Sequence, residues 1–456
     1  MKKIPLGPVI VELIGPSGSG KSAFAQSFAV HDKYEVVSSD ALRERFAGDR
    51  RRQDRNDLVY NEFDRQICMR LEQGKRVVAD ATHIRDTSRR RTAKLARKYG
   101  AKVVYVVFDR SITAKYHKAG WRADVRIGGK SLIDRDQEVF DANIGKILSG
   151  DAGLADVVID TRTEEFDVVM PLSRSDPTLT PEQAVLADIT SRGYQGILYV
   201  GDIHGNLIGL QKMIDLARRL NLFLFTMGDL VDYAPGTIAV ADLFAELMFQ
   251  GEAGGILGNH ERKMLRYVTK ERIEGIYANE GGFQGELSHG NDVTVNQIKA
   301  MTDRERWRWE TRFIGMCELL PHFVRMPRYY FVHGAATPKM LQADEFWFNR
   351  NTKEETYAMY GQVSGHDKDN PLRCYDWLDE IPPGMTVAIG HDCLCQTEPF
   401  VKRGALGGRL VALDTGSSKP DRAPNGRLSA MALDIDYHKK DGWKLVNERF
   451  YSDVDL

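Results

Sequence analysis

The sequence predicts two consecutive α/β units, the first on a parallel sheet and the second on strands whose ends carry metal-binding residue types. Three observations lead there. Up to about residue 165, short Val- and Ile-rich runs alternate with longer, polar, helix-compatible stretches, the rhythm of βαβ units. Met170-Pro-Leu-Ser-Arg-Ser-Asp-Pro-Thr-Leu-Thr-Pro181 then packs three prolines and several hydroxyl residues together, the composition of a linker. Beyond it, apolar runs such as Ile197–Val200, Leu222–Thr226 and Tyr329–Val332 are each followed within two residues by Gly, Asp or His. Strands that end this way build sites at one edge of a sheet. The expected divisions are a nucleotide-binding domain at 1–168, a linker at 169–190 and a second domain at 191–456. The chain of 456 residues is long enough for two or three cores at roughly 150 residues per domain.

Composition narrows the class. With 42% apolar and 28% charged residues the chain is neither disordered nor fibrous. No apolar run approaches the roughly 20 residues of a spanning helix, so no membrane association is expected. The start, Met1-Lys-Lys-Ile-Pro5, lacks the apolar stretch of a secretory signal, which makes the cytoplasm the expected compartment. Five scattered cysteines suit a reducing environment, and Cys393-Leu-Cys395 lacks the second pair that a zinc site needs. The net charge of −1 conceals an asymmetry. Residues 1–165 carry 31 Lys and Arg against 24 Asp and Glu, whereas the remainder carries 32 against 40. A basic first third points to a polyanionic ligand there.

The first apolar run, Val9–Ile14, leads directly into Gly15-Pro-Ser17-Gly18-Ser19-Gly20-Lys21-Ser22, a G-x-x-x-x-G-K-[ST] loop between strand and helix. Its backbone N–H groups turn inward around phosphates, Lys21 neutralises β/γ oxygens and the Ser22 hydroxyl suits Mg²⁺. ATP with Mg²⁺ is therefore the expected ligand. Next, Asp40 and Arg43 follow a short apolar run, on one face if a helix starts there. The simplest structural reading is an N-cap Asp with a surface Arg. Beside a nucleotide pocket the same pair suits a base for an attacking hydroxyl and a clamp for the acceptor's phosphate. Asp80, in Val77-Val-Ala-Asp80-Ala-Thr82-His83, stands at another strand end, suited to orienting Mg²⁺ or the acceptor. Arginine is dense at 43–55 and 85–98, either as solvated helix faces or as phosphate-backbone contacts. Trp121-Arg122 through Arg126 to Arg135 reads as a lid, with Arg122 and Arg126 reaching the nucleotide.

This order of motifs over about 165 residues resembles the 5'-hydroxyl polynucleotide kinase family. The resemblance implies Asp40 as general base, Arg43 as acceptor-phosphate clamp, and Lys21 with Ser22 on ATP·Mg. Small-molecule P-loop kinases share much of the layout.

The second domain carries five short motifs in order: Gly201-Asp202-Ile-His204-Gly205-Asn206, Gly228-Asp229-Leu-Val-Asp232, Gly258-Asn259-His260-Glu261, Val332-His333-Gly334 and Gly390-His391-Asp392. Singly each reads as a turn. Together they offer the mixed O/N ligands that two divalent ions, such as Mn²⁺, use for phosphoester hydrolysis. The set resembles the calcineurin-like metallophosphoesterases, and so an α/β sandwich is implied. The resemblance puts Asp202 and His204 on one metal, Asp229 between the two, and Asn259, His333 and His391 on the other. It makes His260 the acid for the leaving oxygen, Asp232 its orienting partner and Asp414 a support. One departure stands out: many members continue the second motif as Asp-Arg-Gly, whereas here it is Asp232-Tyr233-Ala-Pro-Gly236. Weaker binding of dianionic monoesters is expected, favouring cyclic phosphodiesters, unless another arginine such as Arg262 substitutes.

Taken together the two halves resemble bacterial and phage polynucleotide kinase-phosphatases, enzymes of RNA repair. The resemblance implies phosphorylation of 5'-OH ends and removal of 2',3'-cyclic phosphate or 3'-phosphate ends. RNA and DNA ends both remain open, as does a homo-oligomeric state. Lys439-Lys-Asp-Gly442 matches a ligase K-x-D-G string, but only 14 residues follow it, so a separate RNA ligase is the expected partner. Two other readings fit the motifs. One is a small-molecule kinase fused to a protein or dinucleoside-polyphosphate phosphatase, and the other is a nucleotide-gated sensor without turnover.

Overall fold

A computed structural model describes residues 2–32, 34–49, 55–118, 122, 124–168, 179–274, 290–342, 352–367, 370–419 and 421–456. The chain divides into two compact units, one of Met1–Met170 with Met301–Met316, the other of Pro171–Ala300 with Cys317–Leu456. Part of the expected linker, part of the first arginine run and Trp121 of the expected lid lie outside the described residues.

In the first unit five parallel strands lie in the order Tyr34–Ser38, Arg76–Asp80, Val9–Ile14, Lys102–Val107, Val157–Asp160. Val9–Ile14 is central and buried at every position, because a parallel sheet is covered on both faces. One face packs Ile10, Ile14, Val77 and Val103 against Phe63, Ile67, Ala93 and Phe140 from the helices Asn56–Glu72, Asp86–Tyr99 and Leu132–Leu148. The other packs Val9, Val11 and Leu13 against Ala25 and Phe28 of the helix Lys21–Asp32. Arg89, from the second arginine run, is fully buried and gives a two-pronged ion pair to Asp151 (2.5 and 2.9 Å). That arginine is a core residue, not a solvated face. The segment Met301–Met316, expected in the second domain, counts with the first unit, where Trp307 sets its ring edge on Tyr99 at 5.7 Å.

The second unit is a sandwich of two mixed five-stranded sheets. One runs Ala253–Gly255, Leu222–Thr226, Gly196–Val200, Ser429–His438, Gly442–Ser452; the other Phe323–Met326, Tyr329–Val332, Thr386–Ile389, Arg409–Ala412, Phe400–Arg403. Their inner faces meet in one core, with Tyr199 stacked on Phe331 at 3.9 Å. The expected linker ends sooner than 190. Pro181–Ser191 is a helix, capped by the Thr180 hydroxyl, and it buries Val185, Leu186 and Ile189 in the sandwich core. The K-x-D-G string is the turn that joins the last two strands, where His438 pairs with Gly442. Among the described residues no helix is long and apolar enough to cross a membrane.

Candidate functional sites: a phosphate loop and an acidic histidine cluster

In the first unit, strand Val9–Ile14 delivers the glycine loop to the N-terminus of helix Lys21–Asp32. Gly20 has φ +103°, a backbone conformation that L side chains rarely adopt, which is why glycine stands there. Ser17 Oγ donates to Asp136 Oδ2 at 2.6 Å, both groups being buried. Lys21 Nζ donates to the carbonyls of Gly15 (2.7 Å) and Pro16 (2.9 Å) and to Ser19 Oγ (3.3 Å). Burial lowers its pKa to about 8, opposed by Asp80 and Asp136. Ser22 Oγ donates to Asp80 Oδ1 at 3.3 Å, and Ser38 Oγ donates to Asp80 Oδ2 at 3.1 Å. A hydroxyl and a carboxylate this close are the hard oxygen donors that Mg²⁺ takes, so Ser22 and Asp80 fit the ion.

These residues open on a cavity of about 820 Å³, lined also by Asp40, Arg43, Arg110, Arg122 and Arg135. Asp40 does not cap its helix: Ser38 occupies that position, and Asp40 lies in the first turn of Ser39–Ala47. Its Oδ1 accepts from Arg43 Nη1 at 2.7 Å and its Oδ2 from Arg122 Nη2. Arg43 also reaches Asn56 Oδ1 and Tyr60 Oη, each at 3.3 Å. The structure thus gathers Gly18, Gly20, Lys21, Ser22, Asp40, Arg43 and Arg122 at one cavity. Arg126 does not join them. It is exposed on the short strand Arg126–Ile127 and donates to Gly129 O at 3.4 Å. Arg110 and Arg135 line the cavity in its stead. Arg110 carried a usable signal, since it follows directly on the strand Lys102–Val107 and Phe108-Asp109. Asp136, one residue past the lid stretch, carried none.

In the second unit, loops at the strand ends bring the five motifs together. His204, Asp229, Asp232 and His391 all have positive φ (46°, 52°, 78° and 62°), tight turns that aim their side chains inward. Gly390 permits the closest approach, because a Cβ there would lie 2.3 Å from Asp202 Oδ1. His204 Nδ1 faces Val231 O at 3.0 Å and His333 Nδ1 faces Met227 O at 2.7 Å, which directs both Nε2 atoms into the cluster. His204 Nε2 lies 3.7 Å from Asp202 Oδ2 and 3.6 Å from Asp229 Oδ2. His333 Nε2 lies 3.3 Å from Asp229 Oδ1 and 2.9 Å from Asn259 Oδ1, and His391 Nδ1 lies 2.8 Å from the same Asn259 oxygen. His204, Asp229 and His260 converge on one point, and Asp229, His333 and His391 on another, with Asp229 common to both.

Asp202, His204, Asp229, Asn259, His333 and His391 offer the oxygen and nitrogen donors that two divalent ions take, which leaves His260 to carry a proton. Among the described residues His204 Nε2 is buried with no hydrogen-bond partner, and a bound cation would satisfy it. Burial raises the Asp202 carboxyl well above the usual range, and Asp414 and Asp229 add to it. Burial also opposes the charge on Asp229, but His333, His260 and His204 outweigh it and hold that carboxyl low. His260 Nδ1 meets Asp232 Oδ2 at 2.6 Å, while its Nε2 lies 3.8 Å from Asp229 Oδ2. Asp232 in turn accepts from Asn291 Nδ2 and Thr294 Oγ1.

Several contributors were not assigned a role from sequence. Glu261 is fully buried, accepting from the backbone N–H groups of Asp229 and Leu230 at 2.7 Å each, and burial lifts its pKa to about 7. Asn291 and Thr294 form no motif with Asp232. Arg373 Nη2 lies 2.7 Å from His391 Nε2, and Lys419 Nζ lies 3.0 Å from Asp414 Oδ2. Arg262, expected as a substitute phosphate ligand, is instead turned to Glu355 Oε1 at 3.3 Å.

Residues 10–142 match the AAA domain family and residues 196–395 match the calcineurin-like phosphoesterase family. The chain therefore carries a P-loop kinase-like domain followed by a calcineurin-like metallophosphoesterase domain. Its curated relatives include a bis(5'-nucleosyl)-tetraphosphatase PrpE [asymmetrical] of Halalkalibacterium halodurans, 24% identical over 48% of this chain and 83% of that protein. The protein of the same name from a Geobacillus species is 22% identical over 48% of this chain and 84% of that protein. Among solved structures, a chain of a Pnkp1/Rnl/Hen1 complex is 23% identical, covering 24% of this chain and 38% of its own, with a TM-score of 0.22.

Proposed function

We propose that this chain, with its P-loop kinase-like domain and calcineurin-like metallophosphoesterase domain, heals broken polynucleotide ends. The first domain phosphorylates a 5'-OH from ATP, and the second clears a 2',3'-cyclic phosphate or 3'-phosphate. The observation that carries the reading is the acceptor side of the P-loop cavity. There Asp40 stands between Arg43 and Arg122, and Arg85, Arg91 and Tyr60 line the same cavity. Guanidinium groups around one carboxylate suit an anionic acceptor that presents a hydroxyl, as a nucleic-acid end does.

In the kinase step Lys21 and the loop N–H groups hold the nucleotide phosphates, and Asp136 keeps Ser17 in place. Asp40 accepts the proton of the attacking hydroxyl at a carboxylate oxygen, while Arg43 holds the acceptor's phosphate. In the second domain a pair of divalent ions, when bound, supplies Lewis acidity toward the phosphoryl group and a nucleophile at neutral pH. The protein's own part is proton delivery and orientation. His260 Nε2 gives its proton to the leaving oxygen, and Asp232 accepts the Nδ1–H and fixes the ring. Incomplete positioning of that acid costs rate even where binding is intact.

A second reading has its own support: the PrpE relatives of the phosphoesterase domain are tetraphosphatases by name. One experiment separates the two. An RNA oligonucleotide with a 5'-OH and a 2',3'-cyclic phosphate is incubated with ATP, Mg²⁺ and Mn²⁺, beside a parallel reaction on diadenosine tetraphosphate. Gain of a 5'-phosphate and loss of the cyclic phosphate are expected. Untouched RNA ends alongside cleaved dinucleotide would overturn the end-healing reading.

A further inference from the structure

We infer that Lys419 is the side chain that grips the substrate's phosphate in the phosphoesterase site and sets its preference between dianionic and singly charged esters. The inference rests on the phosphoesterase reading of the acidic histidine cluster and adds the group that meets substrate there.

A cluster that carries Asp202, Asp229 and Asp414 repels an incoming phosphate unless cations face it. The divalent pair provides part of that charge, and the protein has to provide the rest. Among the described residues, basic candidates near the cluster include Arg262, Arg373 and Lys419. Arg262 is spent on Glu355. Arg373 is engaged on three sides, by Tyr360 O, Asp392 Oδ1 and His391 Nε2, which fits a brace for His391. Lys419 is different. Its side chain is only 11% exposed, and its Nζ lies 3.0 Å from Asp414 Oδ2 and 4.0 Å from Asp202 Oδ2. Asp414 is its one hydrogen-bond partner among the described residues, which leaves two N–H donors for a ligand.

The local backbone is shaped to put the ammonium there. Ser418 has φ +59°, and the chain then folds back so that Lys419 N–H reaches Gly416 O at 3.3 Å and Lys419 O accepts from Ala423 N–H at 2.6 Å. Nζ sits 5.6 Å from the centre of the Tyr233 ring, and that ring stands 4.8 Å from His204 and 5.6 Å from His260. The ammonium thus lies over the ring that abuts both His204 and His260, the histidine whose proton the leaving oxygen must meet. An aromatic face carries a cation without neutralising it. Tyr233 occupies the motif position that carries an arginine in many members of the family this unit resembles, and the charge arrives above it from a distant loop.

The test uses the full chain loaded with Mn²⁺. Inorganic phosphate is the probe, titrated by calorimetry, and kcat and KM are read on p-nitrophenyl phosphate and bis(p-nitrophenyl) phosphate. Lys419→Met is expected to weaken phosphate binding by about 10- to 100-fold, the loss of one charge-assisted contact. KM for the monoester rises, the diester changes less, and bound manganese stays at the wild-type level. Lys419→Arg keeps most of the affinity. Tyr233→Arg in the Lys419→Met background places a guanidinium in the same space and restores it, which a fold-supporting lysine would not allow. Unchanged phosphate affinity in Lys419→Met overturns the inference, and so does loss of manganese with no rescue by Tyr233→Arg. Phosphate held through Lys419 by a protein that leaves RNA ends untouched would overturn the end-healing reading and leave this one standing.

Discussion

Glu12 offers a quantitative test of the first unit's packing. It sits in the central strand on the face shared with Ile10 and Ile14, paired in register with Ala79 and Tyr105, and among the described residues neither carboxyl oxygen has a hydrogen-bond partner. The charged groups that face it are the Arg89–Asp151 pair, with Thr92 beside them. Burial pushes its carboxyl from 4.5 up to about 8, against the pull of Thr92 and Arg89. The folded state therefore keeps a proton that the unfolded chain releases above pH 4.5. Its stabilising contribution is fully present below pH 4.5 and is lost as pH rises through 8. At about 1.4 kcal/mol per pH unit the full swing is roughly 5 kcal/mol. Glu12→Gln keeps the shape and removes the titration. Stability is read by amide hydrogen exchange in peptides that cover Val9–Ile14, corrected for intrinsic rates. Wild-type protection should fall from pH 5 to 8, and that of Glu12→Gln should stay higher at pH 8. His83, whose ring burial holds near pKa 3, slopes the other way below 6.5 and is common to both proteins. An identical fall in both would refute the reasoning.

Three further outcomes are expected. Lys21→Ala or Asp40→Ala abolishes only 5'-end labelling, and Asp229→Ala abolishes only 3'-end cleavage; loss of both activities from any one change would break the two-site account. Asp136→Asn removes the charged acceptor that holds Ser17, so affinity for a non-hydrolysable ATP analogue should drop about 10-fold, measured by calorimetry. Asn291→Ala loosens Asp232 and through it His260, so kcat on p-nitrophenyl phosphate should fall about 10-fold with KM and bound manganese unchanged; a change in KM alone would contradict the proposed role.

Much of the sites was legible in advance where chemistry is written into consecutive residues. The glycine loop is readable because a strand, a tight turn and a helix N-terminus must follow one another within a few positions. The five metal-type motifs are readable because each is a single turn at a strand end. Where partners come from different elements the reading failed in characteristic ways. Arg126 reads as one of the lid arginines on the nucleotide, yet it is exposed beside the turn at Gly128 and Gly129 and donates to Gly129 O. Arg89 lies in a run that reads either as a solvated helix face or as phosphate-backbone contacts, yet Asp151, 62 residues on, holds it in the core.

The sequence alone determined two α/β units, a phosphate loop in the first and clustered Asp, His and Asn donors in the second. Those signals depend on the local path of the backbone, so neighbouring residue types suffice to encode them. Only the tertiary structure decided which side chains complete each site. Ser17 meets Asp136 across 119 residues, Asp232 meets Asn291 across 59, and Lys419 enters the metal cluster from a loop after the last of the five motifs. Such meetings are set by how sheets and helices pack, and packing conserves no spacing along the chain.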